Sequence, residues 1–292
     1  MTLVQNTNVT SLIAQHRLAV SSKTLQDAME RLASGYRINK ASDDAAGLTI
    51  SQNLVSQIRR MKQASQNTQD GIGVLQVAEG AYSVIGDNLQ RIRELTVQAA
   101  NDTNDAAARQ AISTEIQKLL EDIDRIANAT SFNGIFLIDG SPKPEAFVQI
   151  GPNSTPLTNV VDLGPVLQDA HANALGVVGG GTVAGFANIA SVNLADNATA
   201  RNFLQDLDVA IRQINTLRSN IGSYQSKLES VNNNLEAGIE NFSQANSRIR
   251  DTDIAADTSI MTQAQTLTQA ATMVLAQTNQ LPQMLLGLLE RR

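Results

Sequence analysis

Residues 207–242 read LDVAIRQINTLRSNIGSYQSKLESVNNNLEAGIENF, with Leu207, Ile214, Ile221, Leu228, Leu235 and Phe242 at six consecutive heptad positions. Ile211 and Ile239 fill alternate positions of the partner row. At 42% hydrophobic composition a run of this kind arises by chance about once in two hundred for a given register. A 3.5-residue repeat keeps one seam against a partner helix and supercoils to the left, so the stretch predicts a long coiled-coil helix.

The same stride recurs outward from it. Leu54, Ile58, Met61, Ser65, Thr68, Ile72, Leu75, Tyr82 and Leu89 form a second stripe, softened at Ser65 and Thr68. Ile112, Ile116, Leu119, Ile123 and Ile126 form a third. Leu18, Leu25 and Leu32 make a short one near the start. Ile260, Ala264, Leu267, Ala271, Val274, Thr278, Leu281, Leu285 and Leu288 carry the stride almost to the C-terminus, where Gly287 is expected to interrupt the last helix. Asp43 and Asp44 suit the start of the helix that carries Leu54, and Ser34-Gly35 suits the end of the one before it.

Between these helices the pattern breaks. Five of the six prolines lie from Pro142 to Pro165 and seven glycines from Gly151 to Gly185, so the stretch from about Ser141 to Asp196 is expected to be irregular or β-rich. Phe132 to Gly140 has turn signals around a short apolar run and predicts a hairpin strand, with Ala146 to Ile150 as its pairing partner. The fold class expected is mainly α: an elongated antiparallel coiled-coil bundle of N- and C-terminal segments, a small β-hairpin region, and a short irregular or β middle insertion.

Composition narrows the function. With no cysteine, thiolate catalysis, disulfides and cysteine-ligated metal sites are excluded. A net charge of −6 with Lys and Arg scattered among acids argues against a nucleic-acid partner. No apolar stretch is long enough for membrane insertion, and the N-terminus carries no cleaved secretory signal; an unfolded, uncleaved export route leaves the same absence. The two histidines, His16 and His171, sit in no motif and read as structural or solvated. Gly71-Ile72-Gly73 lacks the third glycine of a dinucleotide loop, and Gly179-Gly180-Gly181 is followed by no lysine. Asp43, Asp44, Asp251, Asp253 and Asp257 read as caps and helix ends in place of a cation site. No catalytic, cofactor or metal site is expected. The terminal stripes are too thin to order their segments alone, which predicts a subunit whose ends fold on association.

Long motifs then become recognisable. Asn6-Thr7-Asn8, Glu30 to Asn39 (ERLASGYRIN), Asp43-Asp44-Ala45-Ala46-Gly47, Gln90 to Ala99 (QRIRELTVQA), Phe132-Asn133-Gly134 and Val274 to Gln283 (VLAQTNQLPQ) together resemble bacterial flagellins. The resemblance spans about residues 1–140 and 195–292. It implies a structural subunit of the flagellar filament for swimming motility, exported unfolded by the flagellar type III apparatus and located outside the cell. It implies inner-core terminal helices at 1–40 and 256–292, an outer-core helical domain with a hairpin at 41–140 and 196–255, and a short variable surface-exposed segment at 141–195.

The partners implied are further copies of the chain in a helical homopolymer, filament cap and hook-junction proteins, an export chaperone with the export apparatus, and a host Toll-like receptor. Gln90, Arg91, Leu95, Gln98 and Glu115 match the receptor-recognition positions, and Arg91, Leu95 and Gln98 share one helix face that also suits assembly. The assembly stripes are Leu18, Leu25, Leu32, Leu207, Ile214, Ile221, Leu228, Leu235, Phe242, Leu267, Val274 and Leu281. Leu275, Leu281, Leu285 and Leu288 are the export-chaperone candidates. The competing readings are a hook–filament junction protein, a secreted coiled-coil binding module, and a filament-borne enzyme.

Overall fold

A computed structural model describes residues 8–141, 146–153, 159–172, 174–175, 177–178, 181–182 and 197–289. In chain order the elements are α1 (Val9–Ser34), α2 (Ala45–Ala99), α3 (Ala106–Ala129), β1 (Ser131–Phe132), β2 (Ile135–Phe136), β3 (Phe147–Gln149), β4 (Val160–Asp162), β5 (Val177–Val178), β6 (Gly181–Thr182), α4 (Asn197–Arg250) and α5 (Ile254–Leu289). They form two compact units, Met1–Ile58 with Glu240–Arg292, and Arg59–Ile239, so α2 and α4 each contribute to both.

The helix boundaries follow from side-chain caps. Asn8 accepts the Ser11 N–H at 3.1 Å to start α1, and Gly35, at φ 73°, ends it with its N–H on the Arg31 carbonyl. Asp44 accepts the Gly47 N–H at 2.8 Å and opens α2; its carboxylate lies so close to Gly47 that a Cβ there would collide with it. Asp43 instead closes the preceding turn by accepting from Asn39 and Lys40, which holds its carboxyl below the usual range, the Lys40 bond foremost. Asp105 caps α3, and Asp253 caps α5 through Ala255 and Ala256. The acids at 43, 44 and 253 are thus spent on backbone donors. Helix α5 continues through Gly287 to Leu289, so the expected interruption does not occur; glycine inside a helix costs only about 1 kcal/mol.

In the 59–239 unit, three helices share one core. Leu75, Tyr82, Ile85, Leu89 and Ile92 of α2 meet Ile116, Leu120 and Ile123 of α3 and Leu207, Ile214, Ile221 and Leu228 of α4. The packing is antiparallel on both sides of α2: Ser65 pairs with Asn232 and Arg93 with Asp208, while Asn88 pairs with Asp122 and Arg91 with Glu115. On α3 the inward position is Leu120, with Leu119 only partly covered, because the burial follows Ile112, Ile116, Leu120 and Ile123 at the 3.6-residue helix period.

A small hairpin does form in this region, but within 131–136: β1 pairs with β2 through a turn made by Asn133 (φ 50°) and Gly134 (φ 80°), an Asn-Gly pair suited to two successive positive φ angles. The second expectation fails: β3 pairs antiparallel with β4, Phe147 opposite Asp162, and not with the Phe132–Gly140 segment. That segment is occupied otherwise, since Leu137 and Ile138 turn into the core and the Ile138 carbonyl accepts from Ala170. Gly71 lets Val148 of β3 come within 3.1 Å of where a Cβ would stand.

The expectation of a surface-exposed 141–195 segment is also corrected for residues 159–175. Val161, Leu163, Val166, Leu167, Ala170, Ala172 and Leu175 are core residues. The buried Tyr82 hydroxyl accepts the Gln168 N–H at 3.1 Å and donates to the Gln168 carbonyl at 2.9 Å, and Asp124 accepts the Ala172 N–H. Proline and glycine there mark turns of a strap that closes the bundle; local breakers do not by themselves place a segment outside.

Candidate assembly surfaces

In the unit of 1–58 with 240–292, α1 and α5 run antiparallel. Asn8 donates to the Thr278 carbonyl at 3.1 Å, Ser11 to Asn279 at 2.9 Å, and Arg31 reaches Asp257 at the other end. Two helices can cover only one stripe of each other. Ala14, Ala28 and Ala264 are buried at the seam, whereas Leu12, Ile13, Val20, Met29, Leu267, Met273 and Val274 stay exposed. Between the helices lies an open groove of about 670 Å³ lined by Ile13, Val20, Ile260, Leu267 and Val274. A largely apolar groove of this kind, with Arg17 and Gln263 also in its lining, calls for a covering surface.

The end of this unit is tied more firmly. Asp257, 6% exposed, accepts the Arg31 guanidinium at 3.1 Å and also the Thr252 hydroxyl. Arg37 donates its backbone N–H to Arg250 and its guanidinium to the Ile249 carbonyl, both at 2.6 Å, which satisfies the open C-terminal end of α4. Arg250 in turn stacks on the Tyr36 ring at 4.2 Å, and Ile38 is buried.

In the 59–239 unit, Arg91 bridges Glu94 at 3.2 Å and Glu115 at 3.1 Å on the surface. The Glu115 hydrogen bond, then that of Glu94, raises the Arg91 pKa further. Gln90 and Gln98 are exposed beside it, but Leu95 is 3% exposed and faces the core. A separate apolar depression of about 560 Å³ lies under the hairpin, with Ile135, Phe136 and Phe147 exposed at its edge. Among the described residues, no group of three or more His, Asp or Glu is placed to hold a metal ion, and no helix is long and apolar enough to cross a membrane.

The sequence profile of the bacterial flagellin N-terminal helical region matches residues 6–143, and that of the C-terminal helical region matches 204–289. The chain is 41% identical over 305 residues to "Flagellin" of Bacillus subtilis (strain 168), which covers 97% of this chain and 99% of that protein. The chain belongs to the bacterial flagellin family. It is likewise 38% identical over 287 residues to "Flagellin" of Halalkalibacterium halodurans, covering 98% of this chain and all of that one. Against "Flagellar filament 33 kDa core protein" of Treponema phagedenis it is 37% identical over 289 residues, again covering 98% and 100%. A crystal structure of Bacillus cereus flagellin is matched with a TM-score of 0.46 and 31% identity, over 58% of this chain and 88% of that one.

With the geometry known, the stripes of this flagellin separate into two kinds. Leu207, Ile214, Ile221 and Leu228 are buried in the core of the 59–239 unit, and Leu235 is buried as well, so they are not free to meet another copy. Phe242 is half-buried. Leu18, Leu25, Leu32 and Leu275 are half-buried, and Leu267 and Val274 are 50% and 53% exposed. The side chains of Leu281, Leu285 and Leu288 lie outside the described residues. Leu95 leaves the face assigned to it because its own helix turn points it at the core, which leaves Arg91, Glu94, Gln98 and Glu115 outside. Sequence reasoning missed the Arg31–Asp257 and Tyr36–Arg250 pairs. Their partners stand more than two hundred positions apart, and no local pattern links them.

Proposed function

We propose that this flagellin is a structural subunit that homopolymerises, through the exposed apolar face of α1 and α5, into an extracellular flagellar filament serving swimming motility. The observation that carries the reading is that face itself: Ile13, Val20, Leu267 and Val274 line one open groove that the packing of α1 on α5 leaves uncovered. Relatives named flagellin and flagellar filament core protein, matched along nearly their whole length, support it.

In this reading the terminal helices, 1–40 and 256–292, form the inner layer, and 41–140 with 196–255 the outer one. The chain travels unfolded through the flagellar type III apparatus, with Leu275, Leu281, Leu285 and Leu288 held by an export chaperone, and adds beneath a filament cap onto a hook-junction base. The Arg91, Glu115, Gln90 and Gln98 surface first serves contacts between subunits and, when subunits are free, recognition by a host Toll-like receptor.

The test is seeded growth. Purified monomer added to short flagellar fragments is expected to extend them into long filaments visible by electron microscopy. Bounded oligomers or unextended seeds would reject the filament reading in favour of a junction protein or a secreted binding module.

A further inference from the structure

We propose that the groove between α1 and α5 is covered by α1 of another copy of this chain, with Asp27 of one copy pairing with Arg17 of the next; the inference rests on the assembly reading above and names the contact. Arg17 is the one charged residue in the groove, which is otherwise lined by apolar and neutral polar side chains. It is exposed, and among the described residues it makes no ion pair or hydrogen bond. Covering the groove takes this guanidinium out of water, which strongly disfavours closure unless the cover brings an acid to it. The cover is therefore an apolar surface with a carboxylate set into it.

The acids of α1 and α5 are Asp27, Glu30 and Asp257. Asp257 is buried against Arg31, and Glu30 is held by Lys40 at 2.6 Å. From Thr258 to Leu289, α5 has no ionisable residue. Asp27 is exposed, makes no ion pair or hydrogen bond among the described residues, and acts on Lys40 only through space. It also has apolar company. Ile13, Val20 and Asp27 follow at seven-residue steps, and a helix drifts by only about 20° in each such step. Asp27 thus continues the exposed Ile13–Val20 row one heptad beyond the end of the groove. A neighbouring α1 laid down along its Val20–Asp27 stretch brings an apolar side chain and the carboxylate together.

Cation and acid sit at different heights of one helix, Arg17 inside the groove and Asp27 past it. A copy that offers Asp27 to one neighbour keeps Arg17 for another. The contact is head-to-tail, and each addition regenerates the site for the next, as an open-ended polymer requires. Two antiparallel α1 helices would instead satisfy both pairs at once and stop growth at a dimer.

The experiment uses full-length monomers and short flagellar seeds, with elongation followed by electron microscopy and monomer melting by circular dichroism. Arg17→Glu and Asp27→Arg are each expected to melt like the parent, because neither side chain holds another in the subunit. Each alone is expected to extend seeds at least about tenfold more slowly, since like charges then meet at every junction. Mixed in equal amounts, the two variants are expected to extend seeds near the parent rate, because alternation restores an opposite-charge pair at every junction. A chain carrying both exchanges is expected to do so by itself once past its first junction with the seed. No recovery in the mixture or in the double exchange, or full-rate growth by Arg17→Glu, overturns the inference. Slow growth of Arg17→Glu beside full-rate growth of Asp27→Arg overturns the pairing with Asp27 and leaves the assembly reading standing. Wild type that fails to extend seeds, or stops at dimers, overturns the assembly reading itself.

Discussion

Replacing Tyr82 by Phe removes one oxygen and leaves the ring, so the variant isolates what the hydroxyl does for the 159–175 strap. Tyr82 is fully buried, and its oxygen accepts the Gln168 N–H at 3.1 Å while its proton goes to the Gln168 carbonyl at 2.9 Å, with the Val166 carbonyl at 3.2 Å. Phe keeps the packing but strands a partly buried N–H and a carbonyl, a loss of about 1–3 kcal/mol. For a cooperative unit the size of residues 59–239, that lowers the melting temperature by roughly 2–10 °C. Burial also pushes the Tyr82 pKa well above its usual value near 10. As pH rises past 10 the unfolded chain gives up this proton and the folded one keeps it, so the folded state is progressively disfavoured, by about 1.4 kcal/mol per pH unit. The Phe variant lacks that term. Melting followed by circular dichroism should therefore show the parent ahead at pH 8 and the gap closing between pH 10 and 12. A variant that melts within about a degree of the parent at pH 8, or a gap that widens in alkali, would refute the strap's attachment through Tyr82.

Three further outcomes follow from the packing. Leu228→Ala, at a fully buried position of the heptad stripe, is expected to cost about 2–5 kcal/mol in a monomer denaturation curve, whereas Leu267→Ala, half-exposed, should change it by less than about 0.5 kcal/mol. Arg31→Met leaves the buried Asp257 carboxylate with only the Thr252 hydroxyl, and should cost about 1–3 kcal/mol locally, read as faster amide exchange at the end of α1 and the first turn of α5. Gly140→Ala puts a side chain at φ 73° and drives its Cβ into the Asp169 carboxylate that also holds His171, so at least about 1–2 kcal/mol should be lost in a thermal melt.

The heptad arithmetic at Leu207 to Leu235 located the central helix, and the caps at Asp44 and Gly35 located its neighbours' ends, because both signals are local and repeat the physics of a single helix. What such a stripe meets is not local. Leu228 faces α2 in its own chain while Leu267 faces outward, yet the two have the same residue type in the same stride. The difference lies in what shares the seam: α2 and the β3 strand enclose Leu228, whereas beside Leu267 the α1–α5 pair leaves its groove open. Leu95 failed for a related reason, since a shared helix face says which residues travel together and not which way that face turns. The strap was hidden by its composition. Pro165 and Gly164 announce turns, but the burial of Val166 and Ala170 is fixed by Tyr82 and by the Ile138 carbonyl, far away in sequence.

The separation of a self-sufficient bundle from an incomplete terminal face is tested most directly by hydrogen exchange measured residue by residue on the monomer and on the seeded polymer. Amides of α4 from Leu207 to Leu235 are expected to be strongly protected in both. Those of α1 from Leu12 to Thr24 and of α5 from Leu267 to Gln280 are expected to exchange quickly in the monomer and to become protected on polymerisation, while the Arg31–Asp257 end is protected in both. Equal, strong protection of α1 and α5 in the dilute monomer, or a gain in protection confined to α4, would contradict the account.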